Sequence, residues 1–487
     1  MSFKRHGSKS RRQNGIQLME PSHPVGPSPS SIVHSGDGEV VSFFRGATHV
    51  KINGSPSFNV RLCASGHRRQ NDENLVSNVR TRDKLKLERR SKYDLSANRA
   101  IFYKTPHVAN VLEDIPEGPV IMFSIDERRC DAFALLPHRN APILIPLTIQ
   151  KHELEALRLQ MHRYLWSLGL RSRVDVDDVT SENLTEQSAE SLGFGRPTRV
   201  MTDLLGHLWL KIVKPILDAL AYTHTAGSYR RIYWCPSGPL AFVPLHAAGI
   251  YGPIGQSISN FAVSSYIPSV GGFSNKVGRN PRRSNRLLLI GQSDSDIYGP
   301  IPETIKEISV AAALVKRAGG DVTILEGEDA TVEAVAFEMP DYGSVHFACH
   351  ATQLPGGPLN GGFQLNNGPL TISDIIALRI PPAEFAFLSA CAISVGSMSQ
   401  PDETVHLAAG MIQAGYQSVV AAAWAIRDNF CSGLTEDFYT QLTESGQNFD
   451  PTNSAVSLHS AVQKLRKEVG DSEEGLLKWA PYVHFGV

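Results

Sequence analysis

Cysteine is scarce in this chain: six residues in 487, at positions 63, 130, 235, 349, 391 and 431, with no CxxC pair among them. That spacing excludes a zinc ribbon and a disulfide framework, and it favours a reducing compartment. No apolar run approaches the roughly eighteen residues that would cross a bilayer, so no membrane span is expected. The basic residues near the start have no apolar stretch behind them, so no secretory signal is read and a cytoplasmic location is expected. Also missing are a Walker A sequence, a glycine-rich dinucleotide loop before a helix, and any repeat of roughly twenty to fifty residues. His346 and His350 are four apart, but on a strand that is about 13 Å, too far for one zinc. Nucleotide-dependent, metal-dependent and repeat-array classes are set aside, and no cofactor is expected.

Charge is nearly balanced overall, with a formal net charge of −1, but it is unevenly spread. Residues 1–95 carry Lys4, Arg5, Arg11, Arg12, Arg68, Arg69 and a basic run from Arg80 to Lys92, among serines and Pro21, Pro24, Pro27 and Pro29. Such a leader is expected to be disordered and solvated; contact with nucleic acid or a membrane surface is the other reading, and no nucleic acid is required by it. Within it, Val50, Ile52, Phe58 and Val60 alternate around Asn53-Gly54, the pattern of a short hairpin over 43–60. That segment is similar to short β-assembling leaders of fungal immune-type receptors, although Pro56 argues against a long flat strand.

From residue 118 the pattern is that of a folded protein. A strand pair over 120–136 turns at Asp126 to Arg129, a third strand covers 143–147, and helices are expected over 151–168 and 200–222. In the second helix Leu204, Leu208, Ile212 and Ile216 make a core-facing stripe. Residues 231–246 read as strand, turn, strand, with His246 as a hydrogen-bonded structural residue. After a Gly/Asn/Arg-rich linker at 271–285, strands and helices alternate in the manner of a doubly wound sheet. A surface hairpin is expected over 363–371, and Ser373 is expected to cap the helix that follows. The expected organisation is therefore a leader (1–95), a β-strand and helix support region (118–199), and a two-part module split into 200–270 and 286–487.

Two buried strands of that module end in chemistry. The strand expected over Ser344 to His350 ends in an imidazole, and the strand expected over Phe385 to Cys391 ends in a thiol. The carboxyl ends of parallel strands form the crevice where such sheets bind ligands. A thiol and an imidazole delivered there have the composition of a thiol hydrolase, with Cys391 as nucleophile and His350 as its base. The backbone N–H groups of Cys391 and Ala351 are the natural donors for an oxyanion. The plain alternative is that both side chains simply pack.

The motifs His346-Phe347-Ala348-Cys349-His350-Ala351, Leu388-Ser389-Ala390-Cys391, the stretch from Pro401-Asp402-Glu403 to Met411, and the stretch from Ala414 to Asp428 closely resemble the CHAT domain. So do Pro236 to Ala248, Tyr266-Ile267-Pro268-Ser269 and Trp479 to Gly486. The resemblance covers about residues 200 to 487 and is of fungal type. It implies a caspase- and separase-like cysteine endopeptidase, α/β in class, with a mostly parallel sheet flanked by helices and a dyad of Cys391 and His350. It further implies a protein or peptide substrate and a regulatory protein partner in a signalling or cell-death setting. Ala351 stands where the family usually has glycine, and Ala392-Ile393 where it often has an acid and threonine. Asp402, Glu403 and Asp428 match positions that would bind Lys or Arg at P1; for Asp402 and Glu403, stabilisation of a helix start is the competing reading. A catalytically silent scaffold and an adaptor assembling through 43–60 are the rival functions.

Overall fold

The structure, a computed structural model, describes residues 118–137, 139, 141–170, 199–223, 230–253, 255–270, 285–294, 299–353, 359, 361–381, 383–389, 392–394, 406–426, 431–444 and 449–487. The basic leader and its 43–60 segment lie outside the described residues.

The strand pair read from the sequence is β1 (Val120–Ile125) and β2 (Cys130–Leu135), antiparallel, with Asp126 Oδ1 accepting from Arg128 N in the turn. β3 (Ile143–Pro146) adds to β2 at the sheet edge, where Pro146, lacking an N–H, is tolerated. Next come α1 (Lys151–Ser167) and one helical run made of α2 (Val200–Leu208), a π turn (Trp209–Val213) and α3 (Lys214–Ala219). The stripe Leu204, Leu208, Ile212 and Ile216 is fully buried, as its spacing requires. The π turn falls where Pro215 enters the run, since its ring would press on the carbonyl of Lys211 and has no N–H to offer it.

β4 (Arg230–Cys235) is a strand, but the expected second strand at 240–246 is not: Gly238–Phe242 and Leu245–Ala247 are 3-10 turns. Pro239 and Pro244 remove donors and fix φ, so this stretch cannot pair, and it buries Leu240 and Leu245 by turning instead. β4 pairs instead with β1 on one side and with β5 (Ala262–Tyr266) on the other.

The remaining elements alternate. They are β6 (Arg286–Gly291), α4 (Glu303–Arg317), β7 (Asp321–Glu326), α5 (Val332–Glu338), β8 (Ser344–Ala348), β9 (Ala351–Gln353), β10 (Gly362–Leu365), β11 (Gly368–Thr371) and α6 (Ile372–Leu378). Then follow β12 (Phe385–Leu388), β13 (Ala392–Ser394), α7 (His406–Gln413), β14 (Ser418–Ala422), α8 (Cys431–Thr443), α9 (Ser454–Val469), α10 (Glu473–Trp479) and β15 (Tyr482–Gly486). Thr371 rather than Ser373 caps α6: Thr371 Oγ1 accepts from Asp374 N while Asp374 Oδ2 accepts from Thr371 N. Ser373 Oγ donates instead to Leu359 O. The β10–β11 hairpin exposes its tip and Pro369, while Phe363 stacks on Phe347 with ring centroids 3.9 Å apart.

Eleven strands form one mostly parallel sheet flanked by helices, in the order β3-β2-β1-β4-β5-β15-β14-β12-β8-β6-β7. β14, β12, β8, β6 and β7 all run parallel, and β15 opposes β14 while running parallel to β5. The seam is tight: Gly486 has φ +91°, and a Cβ there would stand 2.0 Å from Gln417 O. A four-stranded sheet, β11-β10-β9-β13, accompanies the large one. No helix among the described residues is long and apolar enough to cross a membrane.

Candidate active site

β8 and β12 lie side by side in the middle of the parallel half, and every residue of both is buried. Their continuous apolar runs suit strands covered on both faces. His350 follows β8 after one residue and is itself buried. Its Nε2 lies 2.8 Å from Gly299 O. A carbonyl only accepts, so Nε2 carries the proton and Nδ1 is the basic nitrogen of the neutral ring. The backbone of His350 is held as well, its carbonyl accepting from Gln364 N at 2.8 Å. The imidazole is thus fixed through the segment before α4, and the main chain through β10.

Ala351 opens β9, fully buried, opposite Phe363 on one side and Ala392 on the other. The bond from Gln364 N to His350 O marks Ala351 and Phe363 as a non-hydrogen-bonded pair, so the Ala351 N–H points away from β10, towards β13. The register between the chain through His350 and the chain from β12 to β13 is the same at both described ends. Leu388 pairs with Phe347, and Ala392 pairs with Ala351. Cys391, Asp402, Glu403 and Asp428 lie outside the described residues.

Cys349 is a thiol next to His350, but burial pushes its pKa well up, so it stays protonated and inert. Among the described residues no cluster of three His, Cys, Asp or Glu could hold a metal ion. His246 is structural: its Nδ1 lies 2.9 Å from Tyr266 Oη and its Nε2 2.9 Å from Ala480 O. Burial lowers its pKa to about 4, so it is neutral at ordinary pH.

A buried polar cluster that the sequence reading missed sits behind β8 and β12. Glu307, on α4, is 1% exposed. Its Oε2 accepts from Ser389 Oγ at 2.8 Å and its Oε1 from Thr435 Oγ1 of α8 at 2.6 Å. His346 Nε2 lies 3.4 Å from the same Oε1, an ion-pair distance without an in-line hydrogen bond. The His346 ring packs against Phe387 at 4.6 Å and Tyr439 at 5.8 Å between centroids, and Tyr439 Oη lies 3.2 Å from its Nδ1. Burial alone would raise the Glu307 pKa; His346 and the two hydroxyl donors outweigh it and hold the carboxyl below its usual value. One sequence signal was there to find: Glu307 sits on the α4 stripe that buries Thr304, Ile308, Ala311 and Val315. An acid on an apolar stripe needs partners.

The model of the CHAT domain family matches residues 202–487. No curated protein matches the sequence. Among solved structures, the separase–securin complex of Saccharomyces cerevisiae aligns at 12% identity and a TM-score of 0.49, over 78% of this chain and 31% of that one. This chain therefore spans about a third of the separase chain. The Arg-specific cysteine proteinase gingipain R aligns at 11% identity and a TM-score of 0.36, over 59% of this chain and 67% of that one. The complex of Porphyromonas gingivalis RgpB pro- and mature domains aligns at 10% identity and 0.37, over 69% and 76%.

Proposed function

The chain belongs to the CHAT domain family, and on that footing we propose that it is a cysteine endopeptidase with Cys391 as nucleophile and His350 as its acid–base partner. The observation that supports this reading is the constant register. With Leu388 beside Phe347 and Ala392 beside Ala351, the same offset carried through the intervening residues would set Cys391 against His350. Adjacent strands are about 4.8 Å apart, close enough for a thiol and an imidazole to exchange a proton.

The tie from His350 Nε2 to Gly299 O sets the direction of the chemistry. Nδ1 takes the Cys391 proton, and the thiolate attacks the scissile carbonyl. The oxyanion is met by the N–H groups of Cys391 and Ala351. The imidazolium returns its proton to the leaving amine, and water, activated by the same Nδ1, then releases the acyl group and restores the thiol. No cofactor enters these steps. Asp402, Glu403 and Asp428 supply the negative charge for a Lys or Arg side chain at P1. A regulatory protein partner, in a signalling or cell-death setting, completes the reading.

The test is covalent labelling by an acyloxymethylketone probe carrying Arg, applied to wild type, Cys391→Ser and His350→Ala. The expected result is labelling that falls at least about a thousandfold in either variant, as for removal of a nucleophile or its base. Wild type that resists this probe, its Lys counterpart and probes with other P1 residues overturns the enzyme and leaves the scaffold.

A further inference from the structure

The Glu307 carboxylate touches both strands that carry the candidate dyad. Ser389, which donates to its Oε2, is two residues before Cys391. His346, 3.4 Å from its Oε1, is four residues before His350. The third partner, Thr435, belongs to α8 and leads to neither. Ser389 also continues the ladder, its N–H donating to Phe347 O at 3.0 Å. The last described residue before Cys391 is therefore fixed by main chain to β8 and by side chain to α4. Because the carboxylate is buried and each of its oxygens accepts from a different hydroxyl, the Ser389 bond through Oε2 holds that side chain closely.

We infer that Glu307 is a positioning residue of the active site, and that the Ser389 hydroxyl is the link through which it holds the nucleophile in register with the base. This rests on the peptidase reading. A merely structural cluster would use its two hydroxyl donors alike, since both satisfy one buried carboxylate. A positioning device uses them differently: Ser389 acts on the chemistry, Thr435 on stability alone.

The full chain is therefore compared as wild type, Ser389→Ala, Ser389→Thr, Thr435→Ala and Cys391→Ser. Inactivation by the Arg acyloxymethylketone gives a maximal rate and a half-saturating concentration. Alkylation of Cys391 by iodoacetamide against pH, with Cys391→Ser identifying the thiol, reads thiolate formation without any turnover. Ser389→Ala is expected to lower the maximal inactivation rate about tenfold at unchanged half-saturation, as small misplacement of a reacting group does. It is also expected to move the alkylation profile to higher pH. Ser389→Thr, which keeps the hydroxyl, is expected to recover both. Thr435→Ala is expected to lower Tm and leave both profiles at wild type. Cys391-dependent labelling untouched by Ser389→Ala, or reduced equally by Thr435→Ala, overturns the positioning role alone. A Cys391→Ser chain that labels as fast as wild type overturns the peptidase reading, and the positioning role falls with it.

Discussion

In the β6–β8–β12 half of the large sheet, buried His346 faces a carboxylate; in the β5–β15 half, buried His484 faces hydroxyls. His484 Nδ1 lies 2.9 Å from Ser265 Oγ, and its Nε2 lies 2.9 Å from Ser418 Oγ and 3.2 Å from Ser454 Oγ. Both rings are almost wholly buried and both tie helices to strands. The difference is charge. Hydroxyls can turn to suit a neutral ring, whereas a buried carboxylate demands donors at fixed places and penalises their loss steeply. The half with the demanding cluster is the half that carries His350. The seam is joined by the more forgiving chemistry.

The comparison breaks first, and hardest, at Glu307. Glu307→Ala strands His346 and two hydroxyls in the core and is expected to cost about 3–5 kcal/mol, as several buried polar groups lose one shared partner. Urea denaturation measures it, and a loss under about 1 kcal/mol would show that the carboxylate is dispensable.

Acid separates the halves by pH window. His246, packed against Tyr266 of β5, has its pKa lowered from 6.5 to about 4 by burial. The unfolded chain binds its proton first, so the stability from burying a neutral ring is complete above pH 6.5 and is lost between there and about pH 4. The gap corresponds to about 3 kcal/mol. His459 on α9, lowered to about 4 by burial, acts in the same window. Glu307, held below 4.5, contributes above that value and loses its share only at lower pH. Urea midpoints measured from pH 7 to 4 should therefore fall, and His246→Gln should remove about one proton's worth of the slope. An unchanged slope would refute the burial argument.

Ser418→Ala sharpens the contrast from the other side. Ser454 stays within reach of the His484 ring, so the expected loss is about 1 kcal/mol, typical of one neutral hydrogen bond. A loss as large as that of Glu307→Ala would erase the distinction between the clusters. Lys464→Ala sets the floor. Its pair with Asp437 is short, at 2.5 Å, but the lysine is 60% exposed, and a change within about 0.5 kcal/mol is expected from the same titrations.

Much of the parallel half was legible because its strands are apolar runs separated by amphipathic helices. β6 and α5 fall where the pattern put them, and β8 and β12 occupy the expected apolar runs but end at Ala348 and Leu388, short of His350 and Cys391. β15 was not read as a strand: its five residues are all buried, so it lacks the alternation that marks a half-exposed strand, and it includes a histidine and ends in a glycine. The 240–246 stretch misled because prolines in a short apolar segment look like a turn between strands, whereas here they define 3-10 turns. In the candidate site, His350 was singled out because it follows an apolar run. Its Gly299 partner was not, since a backbone carbonyl fifty-one residues away leaves no side-chain signature. Glu307 was missed because an acid on a helix is ordinarily solvated, and only the partners brought by β8, Ser389 and α8 make its burial possible.

β15 is the last of the eleven strands in sequence, yet it stands near the centre of the sheet, between β5 and β14. During synthesis from the N-terminus, the two banks of strands therefore have no shared member until residues 482–486 have been made. Until then β14 presents an open edge, the one that β15 covers. A nascent chain can assemble each bank from its own strands, but closure of the whole sheet awaits β15.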